Sequence, residues 1–208
     1  TADTRAPLGT DSGDAITIDT GRISFKIPKD RFAPLAGLSV DADGGSYSPF
    51  GGRGLDVTMV NVEKVDENDP HTGVRDVTYR LSDTAADLVT LEENGPLRSV
   101  VRIRGRFASA DGVPLLKGFI GYTIRLVADA GSDAVRMSFT LENNGQYGPP
   151  SESSISRSKP KWLHIRKFEL TLPTDFGRDL VAVTRNGAYD IDDGDLRLLQ
   201  THELRVND

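Results

Sequence analysis

Apolar and polar residues alternate along most of this chain with a period close to two. In Arg22-Ile23-Ser24-Phe25-Lys26-Ile27 every second residue is apolar, which puts Ile23, Phe25 and Ile27 on one face of a strand. Residues 55–65 repeat the pattern through Val57 and Met59, then less cleanly through Val60, Val62 and Val65. Shorter strand candidates lie at 77–81 and 88–91. The middle of the chain carries the clearest signal. Leu97, Val101, Ile103 and Phe107 share one face, with Arg98, Arg102, Arg104 and Arg106 on the other, behind a Gly95-Pro96 turn. Ile120, Tyr122, Ile124 and Leu126 form a second inward row, with Thr123 and Arg125 outward. Val135, Met137, Phe139 and Leu141 form a third, with Arg136, Ser138, Thr140 and Glu142 outward. Ala110-Asp111-Gly112 and Ala130-Gly131-Ser132 separate these runs, so the pattern predicts an antiparallel meander with one buried and one polar face.

Residues 143–161 are rich in Asn, Gly, Pro and Ser, carry no period and read as a loop. The run at 162–172 is strand-like but changes phase. Leu163 and Ile165 share one parity, while Phe168, Leu170 and Leu172 share the other, so a β-bulge is expected near Arg166-Lys167. Residues 180–183 and 196–206 supply two or three final strands. No apolar stripe at i, i+3, i+4, i+7 lasts three turns. The fold class is therefore all-β, an antiparallel β-sandwich of about ten to thirteen strands rather than a small barrel. Residues 1–14, dominated by Thr, Asp, Gly and Pro, read as a linker or N-terminal arm, and 15–208 as a single sandwich domain.

Composition narrows the function classes. The chain has 208 residues, a net charge of −6 and no cysteine. The length suffices for a core without staples, and the missing thiols remove disulfides, thiolate zinc sites and cysteine nucleophiles. An acidic balance argues against a nucleic-acid partner. No apolar run approaches the roughly 20 residues of a membrane helix, so no membrane insertion is expected. The start lacks a basic or apolar leader, and the end at Val206-Asn207-Asp208 follows a strand-like run, so the chain is expected to be a fragment of a larger multidomain protein.

No phosphate-cradling glycine loop, HExxH pair or GxSxG elbow is present. His71, His164 and His202 are isolated from one another, and the simplest account of each is a hydrogen-bonded or surface side chain. Asp190, Asp192, Asp193 and Asp195 surround Gly194, a composition that suits Ca2+, although the spacing misses the EF-hand pattern. A solvated hairpin turn accounts for the same residues on backbone grounds. Asp66-Glu67-Asn68-Asp69 is a weaker version. The row of Arg98, Arg102, Arg104, Arg106, Arg125 and Arg136 could fork onto the carboxylates of an acidic polysaccharide. The plainer alternatives pair it with Glu142, Glu92 and neighbouring acids or lay it over a second sheet or a docked domain. Trp162, the one tryptophan, stands beside Lys161, His164 and Arg166. An aromatic platform flanked by cations suits a carboxylate-bearing sugar, and a core plug is the competing role. Tyr47, Tyr79, Tyr147 and Tyr189 are scattered, and any of them could serve as a lyase base.

A series of segments taken in order carries a resemblance. Thr20-Gly21-Arg22-Ile23-Ser24-Phe25-Lys26-Ile27 is followed by Glu92-Glu93-Asn94-Gly95-Pro96-Leu97-Arg98-Ser99-Val100-Val101-Arg102-Ile103-Arg104-Gly105-Arg106-Phe107. Then come Tyr122-Thr123-Ile124-Arg125-Leu126, Ala130-Gly131-Ser132, the run from Val135 to Asn143, and Ile165-Arg166-Lys167-Phe168-Glu169-Leu170-Thr171-Leu172-Pro173. Over roughly residues 15–175 the chain resembles the β-sandwich region of the exo-rhamnogalacturonan lyase and YetA-like polysaccharide lyase family, whose relatives include ulvan lyases. The resemblance implies a galactose-mutarotase-like supersandwich within a large secreted protein, extracellular or periplasmic. It implies β-elimination at a uronate of an acidic rhamnose-containing polysaccharide, with an (α/α) toroid contributing much of the active site. This chain is then expected to be an accessory module that packs on neighbouring domains, with Trp162, His164 and Arg166 forming one wall of the substrate groove. The alternative is a structural or carbohydrate-binding subunit of a cell-surface or filament assembly, its arginine face and arm touching identical subunits.

Overall fold

The computed structural model describes residues 6–41, 44–65, 73–118, 120–143, 165–173, 189–192 and 195–199. Fourteen strands lie among them. They are β1 (Gly9–Asp11), β2 (Ala15–Asp19), β3 (Ile23–Pro28), β4 (Ala36–Val40), β5 (Ser48–Gly51), β6 (Asp56–Lys64) and β7 (Val74–Arg80). Then follow β8 (Leu88–Asn94), β9 (Arg98–Arg106), β10 (Ile120–Asp129), β11 (Val135–Asn143), β12 (Ile165–Pro173), β13 (Tyr189–Asp192) and β14 (Asp195–Leu199). Helical structure among the described residues is confined to 3-10 turns at Leu81–Asp83 and Leu115–Gly118. The strands form three antiparallel sheets, ordered β1-β2-β3-β4-β5, β11-β10-β9-β8 and β13-β14-β12-β6-β7. The all-β antiparallel sandwich expected from the alternation is the observed architecture.

One apolar core draws from all three sheets. Ile16 and Ile18 come from β2, Ile23, Phe25 and Ile27 from β3, Val57 and Met59 from β6, Val101 and Ile103 from β9, and Ile120, Tyr122, Ile124 and Leu126 from β10. Each is an every-second residue, so alternation alone sends these side chains to one face. An aromatic chain ties the layers together. The Tyr122 ring lies 5.7 Å from Phe32, 5.7 Å from Phe107 and 6.2 Å from Phe139, and Phe139 lies 5.2 Å from Phe168 on β12. Opposite Tyr122 in the β9–β10 register stands Gly105, whose missing side chain leaves room for the ring.

The first sheet is clamped to the turn end of the second. Leu8 N–H donates to the Gly95 carbonyl at 3.1 Å, and Gly131 N–H donates to the Thr20 carbonyl at 2.7 Å. The Thr20 hydroxyl, buried, donates to the Ser132 carbonyl at 2.7 Å. Asn94 closes a reciprocal pair with Gly9, accepting from its N–H at 2.9 Å and donating to its carbonyl at 2.9 Å. The stretch read as a linker or arm at 1–14 therefore contributes β1 to the sandwich. A three-residue Gly-Thr-Asp strand held by backbone and amide bonds carries no apolar period.

Two further differences have plain causes. Leu97, expected inward, is 59% exposed because it sits in the β8–β9 turn beyond the sheet. The weak alternation after Met59 arises because the next inward position is the buried Asn61. The expected bulge in β12 is present, as a register shift against β6 between Ile165 and Lys167.

Candidate functional site

The outer face of the second sheet gathers the arginine row. β9 projects Arg98, Arg102, Arg104 and Arg106 away from the core, β10 adds Arg125 and β11 adds Arg136. Arg125 stands directly opposite Arg102, and Thr123 opposite both Arg104 and Thr140. Guanidiniums on adjacent strands would repel at this spacing, so carboxylates must lie between them.

Four acids fill that role, two of them shared. Asp129 accepts from Arg98 Nε at 2.9 Å and from Arg136 Nη2 at 2.7 Å. Glu92 takes Arg125 in a two-pronged contact at 2.7 and 3.2 Å, and Arg102 Nη1 at 3.0 Å. Arg106 forks onto Asp87 at 3.0 and 3.3 Å. Arg104 approaches Glu142 at 3.8 Å, and the same carboxylate accepts the Thr123 hydroxyl. The Arg125 hydrogen bond, reinforced by Arg102, holds the Glu92 carboxyl below the usual range. Arg98, reinforced by Arg136, does the same for Asp129. The plainer expectation for the row, pairing with Glu142, Glu92 and neighbouring acids, is what the face shows.

Glu92 reaches its arginines through a bulge. The β8–β9 register shifts between Leu91 and Glu93, so β8 carries one extra residue at Glu92. Past the shift Asn94 pairs with Ser99, an inward position, and so meets Gly9. In strict alternation from Leu91, Asn94 would face outward with Glu92. The one extra residue thus serves both the arginine face and the clamp on β1.

At the centre of the face Arg102, Arg104, Thr123, Arg125, Thr140 and Glu142 line a shallow depression of about 250 Å³. The Nε of Arg102 is buried and has no hydrogen-bond partner among the described residues.

Of the other sequence candidates, those among the described residues lie elsewhere. Arg166 sits on the third sheet at the β12 bulge, exposed, with Nη1 3.3 Å from Asp76 of β7. Trp162 and His164 lie outside the described residues, as do His71, His202, Tyr147 and the acidic run at 66–69. Asp190 and Asp192 belong to β13 and Asp195 to β14, with Asp192 opposite Asp195 across a hairpin, while Asp193 lies outside the described residues. Among the described residues no cluster of three or more potential metal ligands occurs. Tyr47 donates to Asp19, and Tyr79 donates to Glu63. The depression itself was legible as separate outward residues in the alternation. Their meeting in one place follows from the strand register, which the sequence does not display.

Fold and face together define an antiparallel β-sandwich with an arginine-rich, carboxylate-laced outer sheet. Residues 9–148 match the family model of the PcRGLX-like protein central beta sandwich domain, and the chain belongs to that family. No curated protein matches the chain.

Proposed function

We propose that this chain is the accessory, non-catalytic sandwich module of a secreted polysaccharide-lyase-like protein acting on acidic rhamnose-containing polysaccharide. The family match over residues 9–148 supports the parent class. The observation that supports the non-catalytic part is the condition of two of the candidate tyrosines, Tyr47 and Tyr79. Loss of hydration and the hydrogen bond to Asp19 push the Tyr47 phenol up to about 12. Burial and the bond to Glu63 push Tyr79 higher still. A base for β-elimination must have shed its proton near the working pH, and both phenols keep theirs. With Tyr47 and Tyr79 set aside, proton abstraction at the uronate is assigned to a neighbouring domain of the parent, while the sandwich packs on it and forms part of the groove. Trp162, His164 and Arg166 are assigned to one wall, the indole stacking on a sugar ring and the cations meeting its carboxylate. The Arg166–Asp76 pair is exposed, and such pairs exchange partners at little cost.

Incubation of the chain with an acidic rhamnose-containing polysaccharide tests this, with the unsaturated product followed by absorbance and oligosaccharide binding by calorimetry. Binding without turnover is expected. Turnover above the protein-free rate overturns the accessory role, and absence of binding overturns the polysaccharide partner.

A further inference from the structure

The geometry points to the depression on β9–β11 as a subsite for one anionic sugar residue, held through its carboxylate or sulfate-ester oxygens by Arg104 with Arg102 and Arg125. This deepens the acidic-polysaccharide reading and rests on it, but locates the contact on the second sheet, away from Arg166.

Charge is the first argument. Among the described residues three guanidiniums, Arg102, Arg104 and Arg125, share the two carboxylates Glu92 and Glu142, an excess of one positive charge that a monoanion would neutralise. Hydrogen bonding is the second. At 3.8 Å the Arg104–Glu142 approach is too long for a hydrogen bond, so the planar Arg104 fork can present donors to a ligand. The partnerless Nε of Arg102 shows that Glu92, divided between two arginines, does not satisfy the group in full.

Size and lining choose among partners. Three strands span roughly 10 Å, and 250 Å³ falls below the roughly 300–1,000 Å³ of pockets for drug-sized ligands. One sugar ring fits, with the Thr140 hydroxyl placed for a ring hydroxyl. The six lining residues include no apolar side chain, whereas protein interfaces have an apolar centre. An acidic face of another protein is therefore the weaker candidate.

Calorimetric titration with an oligogalacturonide, a sulfated oligosaccharide, a carboxyl-reduced oligogalacturonide and polyglutamate tests the proposal, on the parent chain and on Arg104→Gln. Arg104 is exposed, so the variant folds, and its melting temperature checks this. Arg31→Gln, far from the depression in sequence, is the control. The expected result is binding of an anionic oligosaccharide that weakens about tenfold in Arg104→Gln, stays unchanged in Arg31→Gln, and is absent for the carboxyl-reduced ligand. The tighter of the two anionic ligands identifies the oxyanion. Acidic-ligand binding that Arg104→Gln leaves intact overturns the subsite while the polysaccharide reading stands. Failure of the parent chain to bind either anionic ligand overturns both. Arg104-dependent binding of polyglutamate without sugar binding overturns the subsite in favour of a protein partner.

Discussion

Replacing Gly105 with alanine tests the packing that holds the second sheet in place. Gly105 faces inward on β9, with the Tyr122 ring laid over it. A Cβ at that position would overlap the Tyr122 hydroxyl and stand 2.7 Å from Cζ and 2.9 Å from Cε1. The ring has no easy retreat, because Tyr122 is 1% exposed and Phe32, Phe107 and Phe139 surround it. Overpacking of this kind costs about 1–3 kcal/mol. Alanine recovers about 0.5–1 kcal/mol of the chain entropy that glycine loses on folding, which is too little to reverse the sign. The expected net loss is on the order of 1–2 kcal/mol, or a melting temperature lower by roughly 2–8 °C at this chain length. Circular dichroism melts of Gly105→Ala, Tyr122→Leu and the double variant separate the clash from any general effect. In the leucine background the alanine should cost less, with a coupling of at least about 0.5 kcal/mol. Gly95→Ala is the control, since its nearest atom is the Arg98 carbonyl oxygen at 3.6 Å, an ordinary contact, and no loss is expected. A Gly105→Ala protein as stable as the parent, or strictly additive with Tyr122→Leu, would refute the reasoning.

Asn94→Ala removes both 2.9 Å bonds to Gly9 and should destabilise the chain by about 1–3 kcal/mol, with amide exchange accelerated first in β1. Protection of β1 unchanged by the substitution would show the clamp to be dispensable. Glu92 and Asp129 are held below their ordinary values of 4.5 and 3.8, so the folded chain binds fewer protons than the unfolded one near those values. Their contribution is complete above about pH 4.5 and disappears as pH falls through the depressed values. Melting temperature should therefore drop on acidification below that point, and less steeply in Asp129→Asn, where an unaltered slope counts against the assignment. β13 pairs with β14, and the preference of Asp and Gly for hairpin connections accounts for the composition of this run without a cation, so EDTA or added Ca2+ should leave the melting temperature unchanged. A calcium-dependent rise, abolished by substitution of Asp190, Asp192, Asp193 and Asp195, would instead establish a cation there.

Two of the bulges, one in β12 and one in β8, show what was legible and why. At Arg166 the apolar residues themselves change parity, from Ile165 to Phe168, and the phase shift announces the bulge in β12. At Glu92 the surrounding Glu92-Glu93-Asn94 is polar throughout, so an extra residue leaves no trace in the alternation. The same distinction covers the sheets. β9, β10 and β11 are long and alternate cleanly, and they pair in chain order, β10 with β11 across a short turn and β9 with β10 across the longer segment 107–119. β1 and β5 have three and four residues, with glycine, serine or proline in place of an apolar row, while β4 does alternate through Ala36, Leu38 and Val40 but over five residues only, too short a run to stand out.

The arginine face joins these threads. Each guanidinium was visible as an outward residue, but which acid meets which arginine depends on register, and for Arg102 and Arg125 it depends also on the silent bulge at Glu92. Exposed ion pairs of this kind add little to stability one by one. A row of six arginines laced by shared carboxylates is therefore poorly explained as a device for holding the sheet flat. The core beneath already does that through Ile103, Ile124 and Leu126. What the lacing achieves is to keep several guanidiniums side by side, with most of their charge neutralised and about one unit left over at the depression. Such an arrangement suits a weakly held, exchangeable anion, because each carboxylate in place lowers the cost of the ligand leaving as well as the gain from its arrival.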